Sequence, residues 1–235
     1  MPDAVGDTPA PPVGLGREAN QGWGERSERE TLRSGPGTNP SPQPAPTGGG
    51  GERTATTTIG PIYALDGIVP TIAPDAFIAP NAAVIGDVVI GAESGIWFSC
   101  LVRGDMNIIR IGARTNVQDG TIIHVDSGEL ATHIGDDVTI GHGSIIHACT
   151  LRNRAFVGNG AIVLDGAVIE EDGFLGAGAV LTPGKVIGRN ELWAGVPAKL
   201  LRVMNDEERR RYDRNSEAYR QLAARFRAGL RAVAR

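Results

Sequence analysis

All four histidines of this 235-residue chain fall between positions 124 and 147. Neutral imidazole is a common ligand of zinc, copper, iron and nickel, so three of them, His124, His142 and His147, favour a metal site. Three imidazoles and one open position form the catalytic zinc pattern. Because the chain has no His-x-x-x-His helix motif, the spacing alone does not say whether one chain brings all three together. His133, which directly precedes Ile134, is interpreted as a surface residue.

These histidines lie within a stretch of the chain in which an aliphatic residue recurs every six positions. An α-helix would need a period near 3.6 and a half-buried strand a period of 2. A six-residue period is typical of a solenoid in which each hexad makes one strand and one corner, so that three hexads complete a triangular coil. The repeat comprises Ile72, Ile78, Val84, Ile90, Ile96, Val102 and Ile108, then Val117, Ile123, Ile134, Ile140 and Ile146, then, one residue out of step, Leu151, Val157, Val163, Ile169, Leu175, Leu181, Ile187 and Trp193.

The residues around each inward aliphatic suggest how a coil is built. Glycine often comes next, where we expect a corner to need backbone freedom that a Cβ would restrict. These glycines are Gly91, Gly135, Gly141, Gly158 and Gly176, and small residues recur four places after the aliphatic at Ala76, Ala82, Ala161, Ala167 and Ala179. His124 and His147 each follow an inward isoleucine, so they are predicted to share an outward surface. His142 has a different phase, nearer a corner.

The repeat lies between two tails. Residues 1–57 contain 11 Gly and 9 Pro and are predicted to be a disordered extension. Residues 58–203 are predicted to form the β-helix domain, and residues 204–235 an α-helix that packs on it. Asn205 and Glu208 suit a capping box at the start of this helix. A stripe at helical spacing follows, formed by Tyr212, Tyr219, Leu222, Phe226 and Leu230.

Composition excludes several classes of function. Residues 58–205 carry a net charge of −6, which would repel a nucleic-acid backbone, so the arginines of the last helix are interpreted as a solvated face. No run of 18 apolar residues exists, which argues against a membrane span. No targeting signal is apparent at the start of the chain. Cys100 and Cys149 are too few for a disulfide framework and are interpreted as reduced, partly buried packing residues of a cytoplasmic protein.

Together, several stretches of the chain resemble the gamma-class carbonic anhydrases and their gamma-carbonic-anhydrase-like relatives. The resemblance covers about residues 60–203, and the family also has a C-terminal helix. The matching stretches are Val102–Asp105, Ile111–Gly120, Ile123–His124, Ile134–His142, Ile146–Cys149 and Gly195–Lys199.

The resemblance implies a mainly β fold, a left-handed parallel β-helix that assembles as a homotrimer with its metal between subunits. His124 and His147 would then come from one subunit and His142 from its neighbour. The expected metal is Zn²⁺, with Fe²⁺ or Co²⁺ as alternatives. Metal-bound hydroxide would hydrate carbon dioxide to bicarbonate.

The resemblance also gives roles to four polar residues. Gln118 matches the residue that orients the water on the metal. Arg103, Asp105 and Asp119 match a charge network across the subunit boundary, and an architectural salt bridge between Arg103 and Asp105 is equally compatible with the sequence.

The chain departs from the archetype where a proton must leave. Archetypal members have a glutamate directly after the Arg-x-Asp aspartate, where this chain has Met106, and an acidic loop just beyond the first histidine, which is short here. Asp126 and Glu129 are the remaining shuttle candidates, and such loop acids are more often simply solvated. Tyr219 is assigned to packing. The chain thus resembles the shorter-loop relatives, for which a metal site is expected and carbonic anhydrase activity is weak or absent.

Two alternative functions stay open. A hexapeptide-repeat acyltransferase shares the solenoid, binds acyl-CoA, and uses a histidine as base without a metal. A non-catalytic trimeric scaffold would explain the missing glutamate. Metal content and carbon dioxide hydration distinguish these possibilities.

Overall fold

The structure is a computed structural model that describes residues 60–233. The predicted disordered extension, residues 1–57, lies outside the described residues. The strands are β1 (Ile62–Tyr63), β2 (Thr71–Ile72), β3 (Phe77–Ile78), β4 (Ala83–Ile90), β5 (Gly95–Ile96), β6 (Leu101–Ile111), β7 (Asn116–Val117), β8 (Ile122–His124), β9 (Thr132–Ile134), β10 (Thr139–Ile140), β11 (Ile145–His147), β12 (Thr150–Leu151), β13 (Phe156–Val157), β14 (Ile162–Val163), β15 (Val168–Ile169), β16 (Phe174–Leu175), β17 (Val180–Leu181), β18 (Val186–Ile187), β19 (Glu191–Ala194) and β20 (Lys199–Val203). The helix α1 spans Asp206–Gly229.

These strands stack in parallel on three faces of a prism, and β20 alone pairs antiparallel, with β19. Face 1 consists of β3, β5, β7, β10, β13, β16, β19 and β20. The long strands β4 and β6 turn a corner, so that each contributes its first half to face 2 and its second half to face 3. Face 2 also contains β1, β8, β11, β14 and β17, and face 3 contains β2, β9, β12, β15 and β18. The predicted mainly β, left-handed parallel β-helix with a C-terminal helix is confirmed, and the solenoid has about seven turns.

The core is the column of inward aliphatic side chains that the repeat predicted. Ile96, Ile123, Ile140, Ile146 and Leu175 are among its fully buried members. Small residues four positions after an inward aliphatic are also buried, because they fill the prism beside each corner. Ala82, Ala161, Ala167 and Ala179 are at most 1% exposed. Burial of this continuous apolar column, which no single coil could achieve, holds the coils together.

One position of the predicted repeat is wrong. Ile108 has the expected spacing but is only partly buried, whereas Ile109 and Ile111 are buried. The register aligns Ile90 with Ile111, so this coil is three residues longer than the coil in which Ile78 aligns with Ile96. The pairing register between β4 and β6 shifts between Gly86 and Val88. The extra residues of β6 at this point therefore do not follow the six-residue period.

The reason predicted for the corner glycines also needs correction. Gly135 and Gly158 do not have positive φ. They are glycine because the next coil passes too close: a Cβ on Gly135 would lie 2.3 Å from Asn153 Oδ1, and one on Gly158 would lie 2.4 Å from the backbone nitrogen of Ala177. Positive φ occurs instead two residues later, as at Asp137 and Gly160.

The C-terminal helix α1 lies along face 1 and runs back toward the first coils. The predicted capping box is present: the Asn205 side chain accepts a hydrogen bond from the Glu208 backbone N–H, and the Glu208 side chain accepts one from the Asn205 N–H. Within residues 60–233, no helix is long and apolar enough to cross a membrane. The predicted stripe packs on the prism: Tyr212 contacts Phe156 and Phe174, Tyr219 contacts Trp97, Phe226 contacts Phe77, Trp97 and Phe98, and Leu222 and Leu230 are partly buried against the core.

Candidate functional site

Two of the predicted ligands lie side by side at the end of face 2. His124 ends β8 and His147 ends β11, and the parallel register places them directly opposite each other. Their ring centroids are 5.2 Å apart, and His124 Nδ1 lies 3.2 Å from His147 Nε2. The shared phase predicted for these two histidines therefore corresponds to direct contact.

A carboxylate holds the other nitrogen of each ring. Asp105 Oδ1 lies 2.9 Å from His124 Nε2, and Asp165 Oδ1 lies 2.5 Å from His147 Nδ1. The carboxylates therefore fix both rings so that the two remaining nitrogens face each other. We call His124, His147, Asp105 and Asp165 the paired-histidine half.

The long strand β6 carries Asp105, one of the two acids of this half. Val102 is in register with Ile123, so the residues that follow, Arg103 to Asp105, run beside His124 at the start of the enlarged coil. Arg103 forms an ion pair with Asp105. Partial burial raises the pKa of Asp105, but hydrogen bonds from His124, its own backbone N–H and Arg103 outweigh that effect and leave the pKa below its ordinary value. Asp105 is therefore a carboxylate at neutral pH.

His142 lies at the opposite edge of face 2, at the corner between β10 and β11. Its Nδ1 lies 3.0 Å from Asp119 Oδ2, and its Nε2 lies 3.3 Å from the hydroxyl of Tyr219 on α1. Its backbone N–H donates to Asn159 Oδ1 at 3.2 Å. Asp119 lies at the same corner one coil earlier, since its backbone oxygen accepts from the N–H of Gly143.

The buried Gln118 lines a cleft of about 400 Å³ together with His142 and Tyr219. Its Nε2 donates to Asn116 Oδ1 at 3.1 Å, and Asn116 Nδ2 donates to Thr139 Oγ1 at 2.9 Å. Among residues 60–233, Gln118 Oε1 has no hydrogen-bond partner, so it can accept a hydrogen bond from a molecule in the cleft. We call His142, Asp119, Gln118 and Tyr219 the single-histidine half.

The predicted site residues thus form two groups rather than one. Arg103 and Asp105 accompany His124 and His147, whereas Gln118 and Asp119 accompany His142. Among residues 60–233, no three His, Cys, Asp or Glu side chains converge so that they could hold a metal ion. The phase difference of His142 therefore reflects a different edge of the prism.

The paired-histidine half fits two sites of a metal's coordination shell. Two nitrogens bound tetrahedrally to zinc at 2.0–2.1 Å are about 3.3 Å apart. The distance of 3.2 Å between His124 Nδ1 and His147 Nε2 is close to that value. The carboxylate-held nitrogens also match the usual support of metal-binding histidines.

Sequence reasoning gave no site role to three residues that lie in or beside these halves. Asp165 follows His147 by 18 residues, which is one coil further along the prism, so adding one coil length to each histidine could have found it. Asn116 is two residues before Gln118, on the same strand side. Tyr219 packs on Trp97 as predicted, and its hydroxyl also reaches His142.

Asp126, Glu129, Met106 and His133 form no hydrogen bond or ion pair with either half among residues 60–233, whereas Cys100 Sγ donates to the backbone oxygen of Gln118 at 3.1 Å. The Asp126 carboxylate accepts from the Gly128 N–H in its own loop, and Glu129 and Met106 are exposed. His133 is exposed on face 3, as predicted for a surface residue. Cys100 and Cys149 are both buried free thiols.

A row of apolar side chains lies on face 2 between the two halves. Ile122 and Ile145 are register partners that point outward and are 42% and 38% exposed. They form an aligned, partly exposed apolar pair between the two polar half-sites.

The six-residue repeat and three-faced prism define a hexapeptide-repeat β-helix protein. No family model matches the chain. Among solved structures, it is similar to a hexapeptide transferase family protein from Anaplasma phagocytophilum, with 47% identity and a TM-score of 0.67 over 69% of this chain and 96% of the other. It is also similar to a Bacillus cereus protein provisionally assigned as an acetyltransferase, with 39% identity and a TM-score of 0.71 over 72% of this chain and 98% of the other.

Two sequence relatives indicate which family of hexapeptide-repeat proteins the chain belongs to. Gamma carbonic anhydrase 1, mitochondrial, from Arabidopsis thaliana is 43% identical over 159 residues, which cover 66% of this chain and 58% of the relative. Carnitine operon protein CaiE from Salmonella agona is 36% identical over 168 residues, which cover 72% of this chain and 84% of the relative. The chain belongs to the gamma-carbonic-anhydrase-like hexapeptide-repeat family, and it spans little more than half the length of its Arabidopsis relative.

Proposed function

We propose that this protein is a metal-dependent, gamma-type carbonic anhydrase that interconverts carbon dioxide and bicarbonate between the subunits of a homotrimer. The observation that carries the proposal is the presence of two complementary half-sites in each chain, at opposite edges of face 2. One half presents two histidines whose free nitrogens are 3.2 Å apart, and the other presents a third.

The arrangement of the halves supports a cyclic assembly. A head-to-tail contact puts one edge of face 2 against the opposite edge of the next subunit, and repeated contacts of this type form a ring if the rotation closes. A triangular prism that places face 2 toward the axis suits closure with three subunits. Each of three boundaries then has His124 and His147 from one chain and His142 from the other. The apolar residues Ile122 and Ile145 would be covered in the same contact.

The donor set supports zinc as the metal, with Fe²⁺ or Co²⁺ as alternatives, since neutral imidazole suits all three. Bound at the three histidines, the metal would supply Lewis-acid activation of water near neutral pH. The carboxylates of Asp105, Asp119 and Asp165 hold the histidine rings in position. The free Oε1 of Gln118 accepts a hydrogen bond from water in the cleft and so orients it toward carbon dioxide.

This chain has few side chains that could transfer a proton from the site to solvent. The exposed Met106 stands where an acid would serve, and Asp126 and Glu129 form no hydrogen bond or ion pair with either half among the described residues. We therefore propose that turnover is slow and limited by proton transfer to buffer.

Subunit complementation tests the shared site. His142→Ala destroys the single-histidine half and His147→Ala the paired-histidine half, so trimers of either variant should bind almost no zinc. When the two variants are mixed, unfolded and refolded together, boundaries that combine an intact half from each chain should regain zinc and carbon dioxide hydration. Metal content per chain and stopped-flow hydration measure the recovery.

A mixture of His124→Ala with His147→Ala is the matched control. Both changes damage the same half, so no boundary is intact and no recovery is expected. Full zinc content in either single variant, or equal recovery in both mixtures, would contradict a site shared between chains.

Acyl transfer from acyl-CoA is the second candidate function, and the transferase names of the two similar solved structures favour it. His142, held by Asp119 and facing the cleft, would be the base. Stoichiometric CoA binding by metal-free protein, without hydration activity from zinc-, iron- or cobalt-loaded protein, would support this candidate. Zinc-loaded trimers that neither hydrate carbon dioxide nor bind CoA would support a scaffold.

We also propose a cytoplasmic location, although the Arabidopsis relatives are named mitochondrial.

A further inference from the structure

We infer that Asp165 is a positioning residue that retains the metal by fixing the ring of His147. The inference rests on the proposed function, and it concerns a residue outside the set that the sequence and its family resemblance single out. Its basis is the contact of 2.5 Å between Asp165 Oδ1 and His147 Nδ1.

Asp165 differs from Asp105 in how its charge is used. Asp105 is shared between His124 and Arg103, so the guanidinium largely neutralises it. Among residues 60–233, the only ion pair of Asp165 is with His147. Asp165 therefore brings an uncompensated negative charge to the paired-histidine half, which favours a bound dication.

The contact also selects the state of the imidazole. A carboxylate accepts but does not donate, so Asp165 requires the hydrogen of neutral His147 to be on Nδ1. The lone pair is then on Nε2, the nitrogen that faces His124 Nδ1 at 3.2 Å. Without Asp165, His147 would also populate the tautomer with the hydrogen on Nε2, which cannot bind a metal through that atom, and its ring would be free to rotate.

The fold holds Asp165 rigidly enough for this role. Its backbone oxygen accepts from the N–H of Gly184 in the following coil, and the N–H of its neighbour Gly166 donates to the oxygen of Ala148 in the preceding coil. Gly166 has φ of +66°, so a tight turn ends directly after the aspartate. The carboxylate is thus presented by a turn that is fixed from both sides.

Zinc affinity measured by competition with a chromophoric chelator tests the inference in the full chain. Loss of a carboxylate that supports a metal-binding histidine typically weakens metal affinity 10- to 100-fold. We expect Asp165→Ala to show a loss in that range and Asp165→Asn, whose amide oxygen can still accept the Nδ1 hydrogen, a smaller one. ¹⁵N NMR of metal-free protein should show His147 with its hydrogen on Nδ1 in the wild type and a mixture of tautomers in Asp165→Ala.

Asp87→Asn is the matched control. The Asp87 side chain is 37% exposed against 42% for Asp165, and it pairs with Arg110 rather than with a histidine. Its zinc affinity should equal that of the wild type. Wild-type affinity in folded Asp165→Ala would overturn the inference while leaving the proposed function intact. A wild type that binds no zinc would instead defeat the proposed function, and the NMR comparison would still decide whether Asp165 sets the tautomer.

Discussion

At the residue scale, each of the three histidines has one ring nitrogen held by a carboxylate. Asp105 holds His124, Asp119 holds His142, and Asp165 holds His147. Such pairing orients a ring and raises its basicity as a ligand. The three acids come from three different coils, so they cannot be recognised as a set from local sequence. The stacking of coils brings each to its histidine.

The two cysteines are not part of this chemistry. Burial raises the pKa of the Cys100 thiol and of the Cys149 thiol to about 12. Since the thiolate is the reactive form, neither thiol should be alkylated by iodoacetamide at pH 8 in the native protein, and both should be after unfolding in guanidinium. Mass spectrometry of the labelled chain counts the adducts.

The same shifts predict a dependence of stability on pH. The folded-state pKa lies above the ordinary value of 9.0, so the neutral thiols contribute stability that is complete below pH 9 and is lost as pH rises toward about 12. A Cys100→Ala/Cys149→Ala variant should lose less stability over this range than the wild type does. Rapid native labelling at pH 8 would contradict the burial of both thiols.

Most residues of the site were predictable, but the sequence did not show which acid pairs with which histidine. Concentrated histidines at distinct phases, together with the family resemblance, indicated His124, His142 and His147 as ligands, and this assignment remains a prediction. Asp165 lacks a motif of its own, because it acts only through a residue 18 positions earlier. The predicted network of Arg103, Asp105 and Asp119 divides between the two halves, since Asp119 faces His142.

At the element scale, departures from the six-residue rhythm shape the paired-histidine half. The enlarged coil in β6 carries Arg103 and Asp105, and the loop after His124 separates β8 from β9. The regular hexads were predictable because each repeats one buried aliphatic. The enlarged coil was not, because Ile108 has the right type and spacing while the register selects Ile111.

Gly158 and Gly160 lie at one corner and illustrate two different reasons why a coil requires glycine: close approach of the next coil and positive φ. A Cβ on Gly158 would lie 2.4 Å from the nitrogen of Ala177, whereas Gly160 has φ of +66° and open space around its Cβ position. Gly158→Ala forces one coil away from the next, and overpacking of this kind costs about 1–3 kcal/mol or more. Gly160→Ala should lower the free energy of unfolding by about 1–2 kcal/mol, because alanine is unfavourable in the left-handed backbone conformation.

Urea unfolding of both alanine variants measures these costs, and Gly160→Asn is the control, since asparagine tolerates the left-handed conformation. We expect Gly160→Asn to recover part of the stability lost in Gly160→Ala, and Gly158→Asn to be at least as unstable as Gly158→Ala. Recovery by asparagine at position 158 would mean that backbone conformation, rather than the neighbouring coil, requires that glycine.

At the scale of the whole molecule, face 2 connects the fold to the proposed assembly. The two halves lie at its opposite edges, with Ile122 and Ile145 between them. The prism itself followed from the repeat because burial of each coil depends only on its neighbours. The assembly does not follow from the repeat, since an outward aliphatic has the same spacing whether solvent or another chain covers it.

Charge on face 2 should therefore dissociate the proposed trimer without unfolding the chain. Ile145→Lys places an ammonium group within the proposed contact, where burial of an unpaired charge is strongly unfavourable. We expect light scattering after size exclusion to give the mass of one chain, with unchanged far-ultraviolet circular dichroism and with loss of zinc, because His142 is then separated from the other ligands. Val186→Lys is the matched control, since Val186 is 49% exposed on face 3, and it should keep both mass and zinc. If Ile145→Lys kept the mass and zinc content of the wild type, face 2 would not be the contact and the two half-sites would have to function separately.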